Sequence, residues 1–408
     1  MTVNTTCRSC GTHDLQIYLD LGQTPLADRF LTLEQLEEPE PLFPLQVAFC
    51  PECGLSQILE TVPPDVLFCD NYPYYSSFSP ALLQHSKDNV LELIEERKLS
   101  NRSFVVELAS NDGYLLKNYA EKGIPCLGID PAEGPARAAE ANGVPTRVDF
   151  FTANLAEELV AAHGRADIIH ANNVLAHVAD TNGFVKGIAS LIKKEGVAVI
   201  EVPYVKDLIE HCEFDTIYHE HLCYFSVTAL DNLFKRHGLY LNRVKRLSIH
   251  GGSLRLYLEP HEQRDESVLT LLENEQREGV DRLAYYQDFA LRVAQLKESL
   301  TAKLKELKAK DKTIAAYGAA AKGSTLINYA GIGKEVIDFV VDRNLHKHGL
   351  YMPGQHIPIH GPEMLMEQRP DYVLMLAWNF AEEIMNQQQD YLSSGGHFII
   401  PVPEVRIN

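Results

Sequence analysis

Between Phe104 and Pro203 the chain alternates short apolar runs with stretches whose apolar residues recur at three- and four-residue spacing. The runs FVVELA, CLGID, ADIIHA and GVAVIEVP read as strands, and the stretches between them as amphipathic helices. That alternation predicts a parallel sheet flanked by helices. Residues 1–75 differ: proline and turn residues dominate and helical periodicity is weak. A segment rich in histidine and aromatics runs from Tyr204 to Ser226, followed by a helix (TALDNLFKRHG) and two strands (LYLNRVKRL and SLRLYLEP). From Asp265 to Lys310 charges mix with apolar residues at helical spacing, which predicts a long helix or helix pair joining domains. A second alternation follows in TIAAYGA, AKGSTLINYA, VIDFVVD, DYVLMLA and GGHFIIP, a smaller Rossmann-like unit. The expected fold class is α/β in three parts: an N-terminal module over 1–75, a middle Rossmann-like domain over 76–260 and a C-terminal Rossmann-like domain over 261–408.

Composition narrows the setting. The 408 residues, 45% of them hydrophobic, suffice for two or three domains with cores. No apolar run reaches the roughly 18 residues of a membrane helix, and the start MTVNTTCRSC lacks a basic region and an apolar stretch, so no secretory signal and a cytoplasmic setting are expected. A net charge of −19 argues against a nucleic-acid partner, which needs a basic surface. A small anionic ligand is still compatible, because helix N-termini and one or two cations can hold it locally. The chain is expected to act as a monomer.

Four of the eight cysteines form two matched Cys-x-x-Cys-Gly turns, CRSCG and CPECG. Two intervening residues let both sulfurs reach one ion, and the glycine permits the left-handed backbone of such a turn. Cys7, Cys10, Cys50 and Cys53 therefore supply a closed tetrathiolate shell, the signature of structural rather than catalytic zinc.

The middle domain opens on VVELASNDGYLL, a strand, a turn of small residues and a helix expected near Asp112. Ala109 and Gly113 let a ligand approach the backbone, and helix N–H groups face its polar end. The turn lacks the G-x-G-x-x-G of pyrophosphate binders and has the looser E-x-x-x-x-x-G form that suits S-adenosylmethionine. Glu107, Ala109, Asn111 and Gly113 are its candidate cofactor contacts. Asp130, with Pro131 beside it in GIDPA, ends the next strand, where a carboxylate can accept from both ribose hydroxyls. Asp149 and Phe150 follow the third strand and could bracket adenine. Asn172 and Asn173 follow the fourth, at the carboxyl edge where open α/β sheets bind ligands.

Tyr218-His219-Glu220-His221 places four polar groups in a row beside that edge. The H-E-x-x-H spacing of a helical metal site is absent. In a strand His219 and His221 would share a face; in a loop all four could approach the cofactor. Histidine is the natural base near neutral pH, and a tyrosine or histidine can stabilise an enolate oxygen.

Several strings together carry a family resemblance: YPYYSSFS, ELASNDG, GIDPA, IYHEHLCYFS, IHGGSLR, YGAAAKGS, VDRNLHKHG with the following PGQHIPI, and AWNF. Over essentially its whole length the chain resembles the sugar C-methyltransferases that act on nucleotide-linked 4-keto-6-deoxyhexoses. The resemblance implies a zinc domain, a middle class I methyltransferase domain that binds S-adenosylmethionine, and a C-terminal domain that holds a sugar nucleotide, dTDP-linked, against the middle one. It further implies that His221 is the base that removes the proton next to the ketone, that Glu220 and Tyr218 orient it or bind sugar, and that His177 stands near the ketone oxygen. A tyrosine of YPYYSS, Tyr72 or Tyr74, would close the site.

The C-terminal motifs suit a nucleotide diphosphate. YGAAAKGS passes from strand end to helix start and offers Lys322 as a pyrophosphate contact. Trp378 and Asn379 could flank the base or phosphates, and His250, Ser253 and Arg255 could reach the sugar or phosphates. Three other readings fit less well. O- or N-methyl transfer on another small molecule needs no carbon acid and usually no second Rossmann-like domain. A zinc-ribbon nucleic-acid protein conflicts with the charge, and an NAD enzyme lacks its glycine turn.

Overall fold

In the computed structural model, which describes residues 2–63 and 75–408, four sheets build the molecule. The N-terminal part contains β1 (Thr2–Val3), β2 (Gln16–Thr24), β3 (Phe43–Phe49), β4 (Ser56–Ile58) and β5 (Glu60–Thr61). The middle part contains β6 (Val105–Leu108), β7 (Cys126–Asp130), β8 (Thr146–Val148), β9 (Ala166–Asn172), β10 (Ile192–Pro203), β11 (Cys223–Tyr224), β12 (Tyr240–Leu247) and β13 (Ser253–Glu259).

Seven of these strands form the central sheet in the order β12-β13-β10-β9-β6-β7-β8. All neighbours from β10 to β8 are parallel, whereas β13 runs antiparallel to both β10 and β12. Strands such as VVEL are buried along their whole length because helices cover both faces. The chain reverses its direction of winding at β6, with β7 on one side and β9 on the other, which puts a ligand crevice at the carboxyl ends of these strands.

The C-terminal sheet is smaller. Its strands are β14 (Ile314–Tyr317), β15 (Val340–Val341), β16 (Ile359–His360), β17 (Tyr372–Met375), β18 (His397–Ile400) and β19 (Arg406–Ile407), in the order β16-β15-β14-β17-β18-β19. Only the β18–β19 pair is antiparallel. Its own switch point lies at β14.

The charged segment before it forms two helices, Glu266–Glu278 and Leu283–Lys308. They part at Gly279, whose φ of +77° ends the first helix. In the second, Tyr286, Phe289, Val293, Leu296, Leu300, Leu304 and Leu307 recur at helical spacing and are buried. Tyr286 packs against Phe49 and Tyr18 of the N-terminal sheet, ring centroids 4.7 and 5.1 Å away, so this helix ties the parts together.

One expectation needs correction, and one strand crosses between parts. The helix after β6 is regular only over Lys117–Ala120; Gly113 to Leu116 form turns of mixed spacing, with Lys117 N bonded to Gly113 O and Asn118 N to Leu115 O. The N-terminal sheet is also not made from the N-terminal residues alone. Its order is β11-β4-β3-β2, so a strand from the histidine-rich segment completes it. No helix among the described residues is long and apolar enough to cross a membrane.

Candidate active site

The cysteine module comes first in the chain. Gly11 N bonds to Cys7 O and Gly54 N to Cys50 O, each at 2.9 Å, so the two turns are built alike. Both glycines are left-handed, at φ +78° and +76°. The four Sγ atoms lie within 4.8 Å of one another, with Cys7–Cys53 and Cys10–Cys50 at 3.5 Å. A zinc ion bonded at ~2.3 Å sets tetrahedral sulfurs roughly 3.8 Å apart, so donor set and spacing fit a closed zinc shell. Both turns are gripped from outside: Asn182 Nδ2 donates to the carbonyls of Arg8 and Ser9, and Asn232 Nδ2 to that of Cys53.

At the carboxyl end of β6 the backbone turns left-handed at Ala109 (φ +57°), Asn111 (+50°) and Gly113 (+77°). Asp130 pins this turn: its Oδ2 accepts Asn111 N at 2.8 Å and its Oδ1 accepts Ala132 N at 2.9 Å. A Cβ on Gly113 would meet Val144 and Ala139 at 3.1–3.2 Å, so the space beside that glycine is filled by protein. Left-handed backbone and this close packing both require glycine there. A Cβ on Gly128 would stand 2.4 Å from Ser110 Oγ, so that glycine makes room for the turn. From outside, Ser76 N donates to Asn111 Oδ1 at 2.9 Å, and Ser77 N and Oγ donate to Asp112 Oδ2.

Glu107 is fully buried with neither carboxylate oxygen bonded among the described residues. Burial, then Asp130, Asp112 and Glu201, push its carboxyl well above the usual range. Ser110 Oγ, Asp112 Oδ1 and Asn172 Oδ1 are likewise buried without a partner among the described residues. Unsatisfied acceptors at a switch point fit a ligand rich in donors and carrying positive charge, as S-adenosylmethionine is. Asn173 lies beside them with φ +53°, its N–H on Glu201 O. Pro131 is half-buried at the same edge, while Asp149 and Phe150 are exposed at the end of β8, Asp149 paired with Arg147.

The Tyr218–His221 segment is a turn, neither strand nor helix. Its two histidines therefore diverge. His219 is buried and its Nε2–H donates to Pro44 O, 3.0 Å away in β3. His221 points to the other side. Its Nδ1 lies 2.9 Å from Thr216 O, an acceptor, so Nδ1 carries the proton and Nε2 keeps the lone pair. The Tyr218 hydroxyl lies 3.1 Å from that Nε2 and donates to it, with ring centroids 4.2 Å apart. His177 meets the His221 ring edge-on at 4.8 Å and lies against the backbone of Glu220 and Asn173. Burial lowers His177 to about 4, so it is neutral at physiological pH. Burial, then Asp28, pushes Glu220 up to about 8, so near neutral pH this carboxyl retains its proton and can donate.

The C-terminal domain closes on the same segment. Trp378 Nε1 donates to Asp215 Oδ2 at 2.6 Å, Thr325 Oγ1 to Ile217 O at 3.4 Å, and Lys322 Nζ stands 4.8 Å over the Trp378 ring. Asn379 is exposed beside them. Burial raises Asp215 to about 6 and Glu213 to about 7, against the pull of Lys322. Ser253 and Arg255 have internal partners instead: Ser253 Oγ bonds Ile249 O, and Arg255 pairs with Glu201 at 2.7 Å, with His85 alongside. Tyr72, Tyr74 and the His250 side chain lie outside the described residues. Sequence reasoning missed Asp28, Asp215 and Glu201. Asp215 alone had a usable signal, an acid three residues before Tyr218.

Three family descriptions cover the chain: a zinc binding domain at residues 7–68, a methyltransferase domain at 80–244 and a C-methyltransferase C-terminal domain at 248–403. C-methyltransferase NovU of Streptomyces niveus is 36% identical over 98% of this chain and 96% of its own length. A ubiquinone biosynthesis O-methyltransferase of Azorhizobium caulinodans is 30% identical over only 24% of this chain and 38% of its own. Among solved structures, magnesium protoporphyrin IX methyltransferase of Synechocystis PCC 6803 with bound S-adenosylmethionine aligns at 15% identity, covering 43% of this chain and 78% of that one, with a TM-score of 0.33.

Proposed function

This chain belongs to the S-adenosylmethionine-dependent C-methyltransferases that carry a zinc domain, and from that premise we propose that its acceptor is a nucleotide-linked, dTDP-linked 4-keto-6-deoxyhexose, methylated on a carbon next to the ketone. The observation that carries this reading is His221. Its Nδ1–H is committed to Thr216 O, leaving a basic Nε2 in a cluster of neutral donors. Such an arrangement suits removal of a proton from a carbon acid rather than methylation of a ready nucleophile.

Substrate replaces the Tyr218 hydroxyl at Nε2, and His221 takes the α-proton, becoming imidazolium. The electron pair moves onto the carbonyl oxygen. Tyr218, neutral His177 and protonated Glu220 are the donors on hand for that enolate oxygen. Glu107, Asn111, Asp112, Asp130 and Asn172 are the residues that would hold S-adenosylmethionine, which when bound would supply an activated methyl group to the enolate carbon and be released as S-adenosylhomocysteine. Lys322, Trp378 and Asn379 would take the nucleotide diphosphate, with Tyr72 or Tyr74 closing over the sugar.

The test is incubation with S-adenosylmethionine and a panel of nucleotide 4-keto-6-deoxy sugars, read by mass spectrometry with fragmentation. One added methylene on a ring carbon of one panel member is expected. An unmodified panel with cofactor binding intact would overturn the acceptor, and a methyl group on oxygen would overturn the chemistry.

A further inference from the structure

We propose that His219 is a positioning residue through which the zinc domain sets the place of His221. The inference rests on the reading of His221 as the base. Its ground is the path of the chain. The turn Tyr218–His221 runs directly into β11, and β11 is the outer strand of the zinc-domain sheet, with Cys223 opposite Gln57 and Tyr224 opposite Ser56. Ile58 N bonds Leu222 O at 3.0 Å and extends that pairing to the residue after His221.

β4 is itself bound to both metal turns. It follows the Cys50–Cys53 turn directly, and Gln57 reaches the other one: its Oε1 accepts Arg8 N at 2.8 Å and its Nε2 donates to Thr6 O at 3.3 Å. A single side chain thus stands opposite β11 on one edge and holds the first cysteine turn on the other.

His219, inside the turn, is the second anchor. It is 1% exposed. Its ring lies edge-on to Phe43 at 5.7 Å, and its Nε2–H donates to Pro44 O. Its Nδ1 has no partner among the described residues, so among them the Pro44 bond is this ring's one polar tie. Across this turn, the His221 Nδ1–Thr216 O bond is the tie that bears on chemistry. If His219 releases β3, the turn can rotate about β11, and the Thr216 bond that selects the His221 tautomer is the first to lengthen. A displacement of about 1 Å at a catalytic group can cost on the order of a hundredfold in rate.

The experiment compares His219→Ala and His219→Gln in the full zinc-loaded chain. The glutamine amide can still donate to Pro44 O, so it separates the hydrogen bond from the bulk. Nitrogen NMR of labelled histidine reads the His221 tautomer, with the resonance assigned by its loss in His221→Asn. Wild type and His219→Gln are expected to show one neutral tautomer protonated on Nδ1. His219→Ala is expected to show averaging of both. Turnover on a dTDP-linked 4-keto-6-deoxyhexose is expected to fall roughly 10- to 100-fold in His219→Ala and to recover in His219→Gln, with zinc content and S-adenosylmethionine affinity unchanged in both. A fixed tautomer in His219→Ala would overturn the proposal, as would a loss that His219→Gln does not restore. A fully active His221→Asn would instead overturn the base assignment, which the tautomer measurement does not depend on.

Discussion

Asp130 in the middle domain and Asp342 in the C-terminal domain hold equivalent places, each at the end of the second strand of a parallel sheet. Asp130 accepts Asn111 N and Ala132 N at 2.8 and 2.9 Å; Asp342 accepts Ala319 N and Asn344 N at 2.7 and 2.8 Å. In both units one oxygen pins the turn after the first strand and the other stabilises the carboxylate's own loop. The crevices they shape differ in lining. The middle one is lined by the buried carboxylates Glu107 and Asp112, the C-terminal one by Lys322 over Trp378. One scaffold device thus frames two crevices of different lining, and the proposed ligands, a cationic sulfonium for one and an anionic diphosphate for the other, can be tested against that difference.

The sharpest way to use that contrast is to remove the chemistry between the units and leave both crevices alone. His221→Asn is expected to lower turnover by roughly 10²- to 10⁴-fold, while isothermal titration finds unchanged affinity for both S-adenosylmethionine and dTDP. Removing zinc with a chelator comes next. Turnover should fall by about 100-fold as the His221 turn loses its sheet, yet cofactor titration of the same sample should still give binding, because among the described residues the zinc module contributes none of those proposed to hold the cofactor. If chelation abolishes cofactor binding as well, the independence of the two units is lost.

Crossed variants break the comparison directly. Glu107→Ala should weaken S-adenosylmethionine by about 10-fold and leave dTDP untouched, and Lys322→Met should do the reverse, each within the range of a hydrogen bond to a charged group. Equal effects of either variant on both ligands would mean the difference in lining does not sort them.

The smallest effect is on stability. Asp215 and Glu213 are raised to about 6 and about 7 by burial, so the folded state holds their protons more tightly than the unfolded chain does. Their stabilising contribution is complete below the ordinary carboxylate range and is lost as pH rises through about 4 to 7. Lys322 and His211 moderate the loss. Thermal unfolding across that range should show a fall in wild type that the double variant Asp215→Asn with Glu213→Gln flattens.

Much of this was readable in advance. Two Cys-x-x-Cys-Gly turns determine a tetrathiolate site whatever surrounds them, because spacing and backbone handedness are local properties. Strand and helix alternation determined two parallel sheets, since each apolar run must be covered on both faces. Other features depended on residues far apart in sequence. Gly113 reads as a glycine of the cofactor turn, and its packing against Val144 and Ala139 shows only in the fold. Arg255 reads as a contact for sugar or phosphates, and its pairing with Glu201 likewise shows only in the fold.

What the sequence determined by itself was the inventory: the metal turns, the sheet-edge acids and the polar run at Tyr218–His221. Tertiary structure alone decided how that run is divided. In a turn, adjacent side chains diverge according to what each neighbouring domain offers. β3 presents the Pro44 carbonyl to His219, and Thr216 presents its own to His221. Which histidine is buried and which keeps a basic nitrogen facing the cluster is settled by those two acceptors, and one of them lies 175 residues away in the chain.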